Sequence, residues 1–199
     1  MDRPIALGRL REFMRFITAF GKVERAYYIP ATDRKENDLE HTCSLALMAW
    51  FILSGNNSSL DTGRVLKYAL AHDLVEVFAG DTYIYTTDKE HLDGKPGREL
   101  AAAEQIARDF PEFADLHPYV LGYMKREDAE SRFVYALDKI LPIFSIHDDE
   151  GRMWKENKVK LQMLIDNKAS KVALSPEIEP YFAELVELLT LEEEKMFGA

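Results

Sequence analysis

The sequence predicts an all-α protein with a single domain over residues 1–199. Apolar residues recur at intervals of three and four along most of the chain, which is the period of an amphipathic helix. The sequence contains no Asn-Gly hairpin signal, no strict alternation of apolar and polar residues and no internal repeat. With 199 residues, of which 47% are hydrophobic and 30% charged, the chain can bury one complete core.

The first part of the chain is predicted to form three helices and one long loop. The first helix covers residues 4–20, and residues 21–39 then lose the helical period and collect turn-forming residues. A loop of this length inside a compact domain is usually functional. A second helix begins at about residue 40 and ends at the turn cluster 55–57. A third covers residues 61–80 and is apolar on almost every side, which indicates a position in the middle of the domain.

The second part of the chain is predicted to form a polar loop followed by further helices. The loop covers residues 81–97 and resembles a lid or rim because it collects threonine, proline and glycine. A long helix over residues 128–149 contains Pro142, where we expect a kink. The remaining predicted helices cover residues 96–110, 111–124, 159–174 and 176–197.

Charge and cysteine content exclude several classes of partner and location. The chain has 25 Lys and Arg against 35 Asp and Glu, a net charge of −10, so we expect no nucleic-acid polymer and no anionic membrane as partner. The longest nearly uncharged run, residues 42–57, is shorter than the roughly 20 apolar residues of a membrane-spanning helix. Cys43 is the only cysteine and we expect it to be packed. Because no signal sequence opens the chain, we predict a cytoplasmic protein.

Polar side chains interrupt three of the predicted helices in apolar surroundings. His41 precedes an apolar run, His72 and Asp73 stand in the third helix, and Asp138 stands in the long helix. Taken singly, each is more often a structural residue than a ligand. Together, two imidazole nitrogens and two carboxylate oxygens form a ligand set suited to a divalent ion of Mn, Co, Fe, Ni, Zn or Mg. On a continuous helix Glu76 would lie one turn from His72.

Two longer motifs surround these residues. Residues 34–42 read RKENDLEHT and residues 72–81 read HDLVEVFAGD. Both are similar to motifs of the HD superfamily of metal-dependent phosphohydrolases, in the compact branch that contains bacterial 5′-deoxynucleotidases and eukaryotic HD-domain relatives. The resemblance extends from Arg25 through Asp138. It implies a helical bundle, one divalent metal ion, hydrolysis of the 5′-phosphate of (deoxy)nucleoside monophosphates, and a homodimer.

The resemblance also implies roles for single residues. Glu76 and Asp81 match the acids that flank the attacking water and the leaving oxygen. Arg25, with Arg34 as a second candidate, matches an arginine that holds the substrate phosphate. The residues that would bind the metal are His41, His72, Asp73 and Asp138.

The chain departs from the bacterial deoxynucleotidases beside that arginine. Those enzymes have a tryptophan after it, pressed against the sugar, whereas this chain has Ala26 followed by Tyr27 and Tyr28. A tyrosine could contact the base or sugar instead, or could belong to the core. The selectivity for deoxyribose over ribose therefore stays open.

Several alternatives remain at the level of sequence. The protein could hydrolyse a dinucleotide or another small phosphate ester. It could be a regulatory module that binds a nucleotide without turnover, although Glu76 and Asp81 would then have no chemical use. It could also be a purely structural helical domain. The Gly94-Lys95 pair lacks the spacing of a phosphate-binding loop, and we assign no ligand role to His91, His117 or His147.

Overall fold

The computed structural model describes residues 5–81 and 89–198, which form a helical bundle with one small sheet. Strands β1 (Glu24–Tyr28) and β2 (Lys35–Asn37) pair antiparallel in the small sheet. The other elements of the described residues are helices, which confirms the all-α prediction. The helices are α1 (Leu7–Phe20), α2 (Asp38–Gly55), α3 (Thr62–Ala71), α4 (Glu76–Ala79), α5 (Lys89–Asp109), α6 (Leu116–Lys125), α7 (Ala129–Asp148), α8 (Arg152–Glu156), α9 (Leu161–Val172), α10 (Glu179–Leu191) and α11 (Glu193–Phe197). Among the described residues, no helix has the length and apolarity that crossing a bilayer requires.

Helix α7 is the central element of the bundle and packs against α2, α3, α6, α8, α9 and β1. Its buried side chains point to several sides. The helix runs through Pro142, which has no N–H to bond the carbonyl of Asp138 one turn earlier. The neighbouring carbonyl of Lys139 accepts a hydrogen bond from the buried ammonium of Lys168 at 2.5 Å. The helical turn that contains Asp138 is therefore stabilised by the side chain of Lys168 as well as by the hydrogen bonds of the helix.

The predicted loop over residues 21–39 is wrong, because it contains the antiparallel pair β1–β2. Tyr28 lies opposite Lys35 and Glu24 opposite Asn37, with an irregular register between them. The connection closes when Ile29 N–H donates to the carbonyl of Arg34 at 2.9 Å. The sequence of β1 lacks the alternation of apolar and polar residues that is typical of a strand. The cause is Arg25, a charged residue that is largely buried on β1 and pairs with Asp38.

The predicted continuous helix over residues 61–80 is also wrong, because it ends at Ala71. Residues 72–75 form a turn in which Leu74 N–H bonds the carbonyl of Ala71 and Glu76 N–H bonds that of Asp73. These bonds span three residues rather than four, so the chain is wound more tightly than an α-helix. Helix α4 follows and ends at Gly80, whose φ of 73° favours glycine.

The predicted lid over residues 81–97 is wrong for its second half. Helix α5 begins at Lys89 and contains Pro96, and it packs against α4 and α6. Tertiary contacts have therefore overridden the helix-breaking residues of this segment. The part of the predicted lid at residues 82–88 lies outside the described residues, as does the side chain of His91. Cys43, expected to be packed, is exposed.

Candidate active site

Four side chains from three distant segments converge in the interior. His41 lies in the first turns of α2, His72 and Asp73 lie in the turn after α3, and Asp138 lies in the middle of α7. One nitrogen or oxygen of each lies within 4.8 Å of the others. His41 Nε2 is 3.0 Å from Asp138 Oδ1, and His72 Nε2 is 3.9 Å from the same atom. The structure thus brings together all four residues that the sequence suggested as metal ligands.

The tight turn at residues 72–75 explains how two sequence neighbours share one site. Adjacent residues of a regular helix do not face each other. Because α3 ends at Ala71, His72 Nε2 and Asp73 Oδ2 approach to 2.9 Å. The end of α3 therefore contributes two neighbouring polar atoms to the cluster.

Hydrogen bonds fix both imidazole rings with Nε2 turned toward the cluster. His72 Nδ1 donates to the carbonyl of Ala69 at 2.8 Å. His41 Nδ1 lies 3.3 Å from the Glu36 carboxylate and 3.1 Å from the hydroxyl of Tyr27. A ring that donates through Nδ1 keeps a lone pair on Nε2, which is the arrangement found for metal-binding histidines. Tyr27 is buried and also bonds Glu36, so it belongs to this support rather than to a substrate surface.

The donor atoms fit a divalent cation. His72 Nε2 is buried and has no hydrogen-bond partner despite its short distance to Asp73. A lone pair and a carboxylate oxygen repel each other unless a cation lies between them. Two ligands at right angles on an ion about 2.1 Å away are about 3.0 Å apart, and the His72–Asp73 and His41–Asp138 pairs show 2.9 and 3.0 Å.

The surrounding charges keep both aspartates ionised, as a metal ligand requires. Burial opposes ionisation, but the guanidinium charge of Arg25 helps to hold the pKa of Asp73 well below its usual range. Burial likewise opposes ionisation of Asp138, whereas the ammonium charge of Lys139 holds its pKa well below the usual range. Lys139 Nζ contacts Asp138 Oδ2 at 2.5 Å. The long lysine side chain bends back to its neighbour, although adjacent helical residues diverge at Cβ.

Arg25 lies on β1 beside the four residues. Its guanidinium binds Asp73 Oδ2 at 2.8 Å and Asp38 Oδ1 at 3.0 Å, and it lies 4.0 Å from Asp138. Its Nε is buried without a partner. A planar, permanently charged group with a free donor is suited to a phosphate. Arg34, the second candidate, instead forms a bidentate pair with Glu40 at 2.8 Å, and none of its described hydrogen bonds reaches the cluster.

A second acidic group adjoins the first and shares Asp73 with it. Asp38, Asp73 and Glu76 each place a carboxylate oxygen within 4.8 Å of the others. Burial, and then the charges of Asp73 and Asp81, raise the pKa of Glu76 well above its usual range. Burial and the charge of Asp73 raise the pKa of Asp38 to about 6. Glu76 Oε2 is buried without a partner, while Lys95 Nζ lies 3.4 Å from Oε1. Glu76 therefore places a buried carboxyl group beside the four residues.

A polar cleft opens at this site and extends along β1 to α8. Its volume is about 410 Å³. Arg25 and Asp81 line it at the end near the cluster, and Glu156 and Asn157 line it at the C-terminal end of α8. Its other lining residues are Glu24, Ala26, Tyr28 and Lys35. A small charged molecule can therefore reach Arg25 and Asp81 from solvent.

The sequence reasoning missed three charged residues of this site. Asp38 stands inside the motif over residues 34–42 but received no role, and its burial beside Arg25 appears only in three dimensions. The sequence offers Lys95 only as part of a phosphate-loop pattern that lacks the required spacing. Lys139 adjoins Asp138, and adjacent residues of a helix do not face each other, so the sequence gives it no role in the site. Of the other histidines with a described side chain, His147 binds Glu192 at 3.0 Å and His117 lies on α6, so neither joins the cluster.

Comparison with known proteins places the chain in a family. A family model described as "HD domain" matches residues 21–179. The proteins named "5′-deoxynucleotidase HDDC2" from Bos taurus and Homo sapiens are each 30% identical to this chain; the first alignment covers 88% of this chain and 83% of the bovine protein, and the second covers 88% and 84%.

Solved structures agree. A predicted metal-dependent phosphohydrolase from Magnetospirillum magnetotacticum MS-1 superposes with a TM-score of 0.75 at 30% identity, covering 92% of this chain and 96% of that one. A protein from Pyrococcus horikoshii OT3, 18% identical over 90% of this chain and 97% of its own, shares the fold with a TM-score of 0.60. By the family match, the relatives and the common fold, this chain belongs to the HD domain family.

Proposed function

We propose that the protein is a metal-dependent phosphomonoesterase that removes the 5′-phosphate from (deoxy)nucleoside monophosphates, and that residues 1–199 act as one domain. The observation that carries this proposal is the juxtaposition of a four-residue N/O ligand set with a buried acid, Glu76, and an open cleft that holds Arg25 and Asp81. The names of the bovine and human relatives support a nucleotide substrate.

The four ligand residues would hold one divalent ion, namely Mn, Co, Fe, Ni, Zn or Mg. When bound, the ion supplies a Lewis acid that polarises a phosphoryl oxygen and lowers the pKa of a nearby water. His72 Nε2 is buried and has no hydrogen-bond partner, which supports its role as a ligand of the ion.

The acids of the site divide the proton transfers between them. Glu76 accepts a proton from the water that attacks phosphorus, because its carboxyl group is buried beside the four ligand residues and burial raises its pKa above the usual range. The bond between phosphorus and the 5′-oxygen breaks, and Asp81, at the cleft wall, donates the proton that the departing oxygen needs. Lys95 holds Glu76 in place through its contact with Oε1.

Arg25 binds the phosphate in this scheme, whereas Arg34 does not. Asp38 and Asp73 hold the guanidinium of Arg25 from one side, so the unpartnered Nε and the rest of the fork can donate to phosphate oxygens. Because the guanidinium is already held in place before the phosphate binds, phosphate binding costs less conformational entropy.

Phosphate release from a panel of mononucleotides, dinucleotides and simple phosphate esters, with Mn, Co, Mg or Zn supplied, tests the proposal. We expect release from 5′-mononucleotides that stops on chelation. Arg25→Lys should raise KM and lower kcat/KM by about 10–100-fold, since an ammonium loses the bidentate contact. Arg34→Lys, a matched change at the surface pair with Glu40, should alter it by less than about threefold.

Three outcomes would contradict the proposal. Cleavage of dinucleotides in preference to mononucleotides would assign a phosphodiesterase, and metal-dependent nucleotide binding without turnover would assign a regulatory module. Equal losses in the two arginine variants would remove the role given to Arg25.

We further propose that the protein forms a homodimer through an exposed apolar stripe on α2, namely Leu47, Trp50 and Phe51. These three residues stand at positions i, i+3 and i+4 and therefore lie on the same face of the helix. All three are exposed, and the exposed fraction of Phe51 is 75%. Phe51→Glu should convert a dimer into a monomer in sedimentation equilibrium, whereas Leu191→Glu, at an exposed position of α10, should not. A wild-type protein that is monomeric at micromolar concentration would refute this proposal.

A further inference from the structure

The cleft has a second end, away from Arg25 and Asp81, that the proposed chemistry does not use. Tyr28 follows Arg25 by three residues on β1, a separation of about 10 Å along an extended strand. Helix α8 packs against β1 there, and Glu156 and the following Asn157 line the cleft. When the phosphate of a nucleotide lies at Arg25, the sugar separates it from the base, which then lies toward this end.

Tyr28 is held rigidly at this end of the cleft. The guanidinium of Arg152 covers its ring at 3.8 Å from the ring centre. Arg152 is itself fixed by Asp149 at 2.8 Å and Asp33 at 2.9 Å. The Glu156 carboxylate lies beside the Tyr28 hydroxyl and raises its pKa. Because one ring face is covered, a base can contact only the opposite face or the ring edge, and the ring needs no further ordering to receive it.

Acceptors predominate among the hydrogen-bonding groups at the C-terminal end of α8. A carboxylate offers about four acceptor sites and no donor, so Glu156 can only accept from a ligand. Asn157 Nδ2 uses one of its two N–H groups on the carbonyl of Met153 at 2.8 Å, so Oδ1 and the other N–H remain for a ligand. Lys35, opposite Tyr28 in the sheet, is the charged donor among the lining side chains at this end.

We propose that Tyr28, Glu156 and Asn157 form a base subsite that selects nucleotides whose base carries an exocyclic amino group, with Glu156 as the specificity-determining residue. This inference rests on the proposed function. The amino groups of cytosine, adenine and guanine are donors that a carboxylate accepts. Uracil and thymine place a carbonyl oxygen at position 4, where a carboxylate would leave two acceptors facing each other. A site built to pair with one group rejects the analogue that lacks it.

The pair dCMP and dUMP tests this subsite most sharply. The two share sugar, phosphate, ring size and the carbonyl at position 2, and they differ in the amino or carbonyl group at position 4 and in the hydrogen that uracil carries on N3. We expect kcat/KM for dCMP to exceed that for dUMP by about tenfold in the wild type. Glu156→Gln, whose amide both donates and accepts, should bring the ratio to within about threefold. Glu187→Gln, at an exposed position of α10, should leave the ratio unchanged.

Deoxyribose 5-phosphate separates the subsite from the reaction. It has no base, so its hydrolysis should be the same in the wild type and in Glu156→Gln. Equal rates for dCMP and dUMP in the wild type would overturn the subsite while the proposed function stands. A cytosine preference that persists in Glu156→Gln would also overturn it, as would a dUMP preference that disappears in Lys35→Met.

Binding decides the matter if no substrate is hydrolysed, which would be a failure of the proposed function itself. Dissociation constants of dCMP and dUMP are then measured with Mn²⁺ present for the wild type and for Glu156→Gln. Binding of dCMP about tenfold tighter than dUMP in the wild type, lost in Glu156→Gln, supports the subsite. Equal binding overturns it.

Discussion

Replacing Asp73 with alanine is expected to remove the bound metal and to lower kcat/KM by more than about 100-fold, because even the loss of groups that only orient a metal ligand costs 10–100-fold. Asp73 belongs to both acidic groups of the site and also holds the guanidinium of Arg25 at 2.8 Å. Its removal therefore takes away a ligand and releases the phosphate-binding group. Elemental analysis of the purified variant, with phosphate release measured on the same sample, checks both effects.

Asp115→Ala is the matched control for this change. Asp115 is an exposed aspartate whose partner is Lys67, at 2.7 Å, far along the chain from the four ligand residues. It should keep wild-type metal content and activity. Metal retained at the wild-type level in Asp73→Ala would contradict the ligand assignment, and a comparable loss in Asp115→Ala would show that the effect is not specific to the site.

Glu76→Gln is expected to lower kcat by about 10²–10⁴-fold while the metal remains bound, which is the range attributed to a positioned general base. Glu76 lies beside the four ligand residues but does not belong to their group. Since Glu76 is buried, a neutral amide of the same shape fits the site and the variant should fold. The measurement is kcat together with metal content, at saturating metal.

Glu104→Gln serves as the control for Glu76→Gln, because Glu104 is exposed on α5 and its partner is Arg108. It should change kcat by less than about twofold. Should Glu76→Gln lose metal to the same extent as Asp73→Ala, the separation between metal binding and proton transfer would be wrong. Full activity in Glu76→Gln would remove its role as a base.

The convergence of the four proposed ligand residues can be predicted from the sequence because they interrupt apolar surroundings. An uncompensated polar group in a core is costly, so His41, His72 and Asp138 need a shared reason to be there. Their convergence in the structure agrees with that expectation. The relation between His72 and Glu76 could not be predicted in the same way, because a continuous helix was assumed where the chain makes a tighter turn.

Tertiary contacts cause the other differences between the structure that the sequence predicts and the one observed. Strand β1 lacks an apolar alternation because Arg25 is drawn into the site by two carboxylates. Helix α5 continues through Pro96, where local preference indicates a break. Lys95 on the same helix reaches Glu76, which lies on a different helix. Such pairings depend on how elements pack, and helical periodicity carries no information about them.

The position of the metal itself tests the central claim most directly. Crystals grown with Mn²⁺ are to be examined for anomalous scattering at the manganese edge. The structure predicts a single strong peak within bonding distance of His41 Nε2, His72 Nε2 and the carboxylates of Asp73 and Asp138. A peak among Asp38, Asp73 and Glu76 alone, or no peak near the two histidines, would contradict the account.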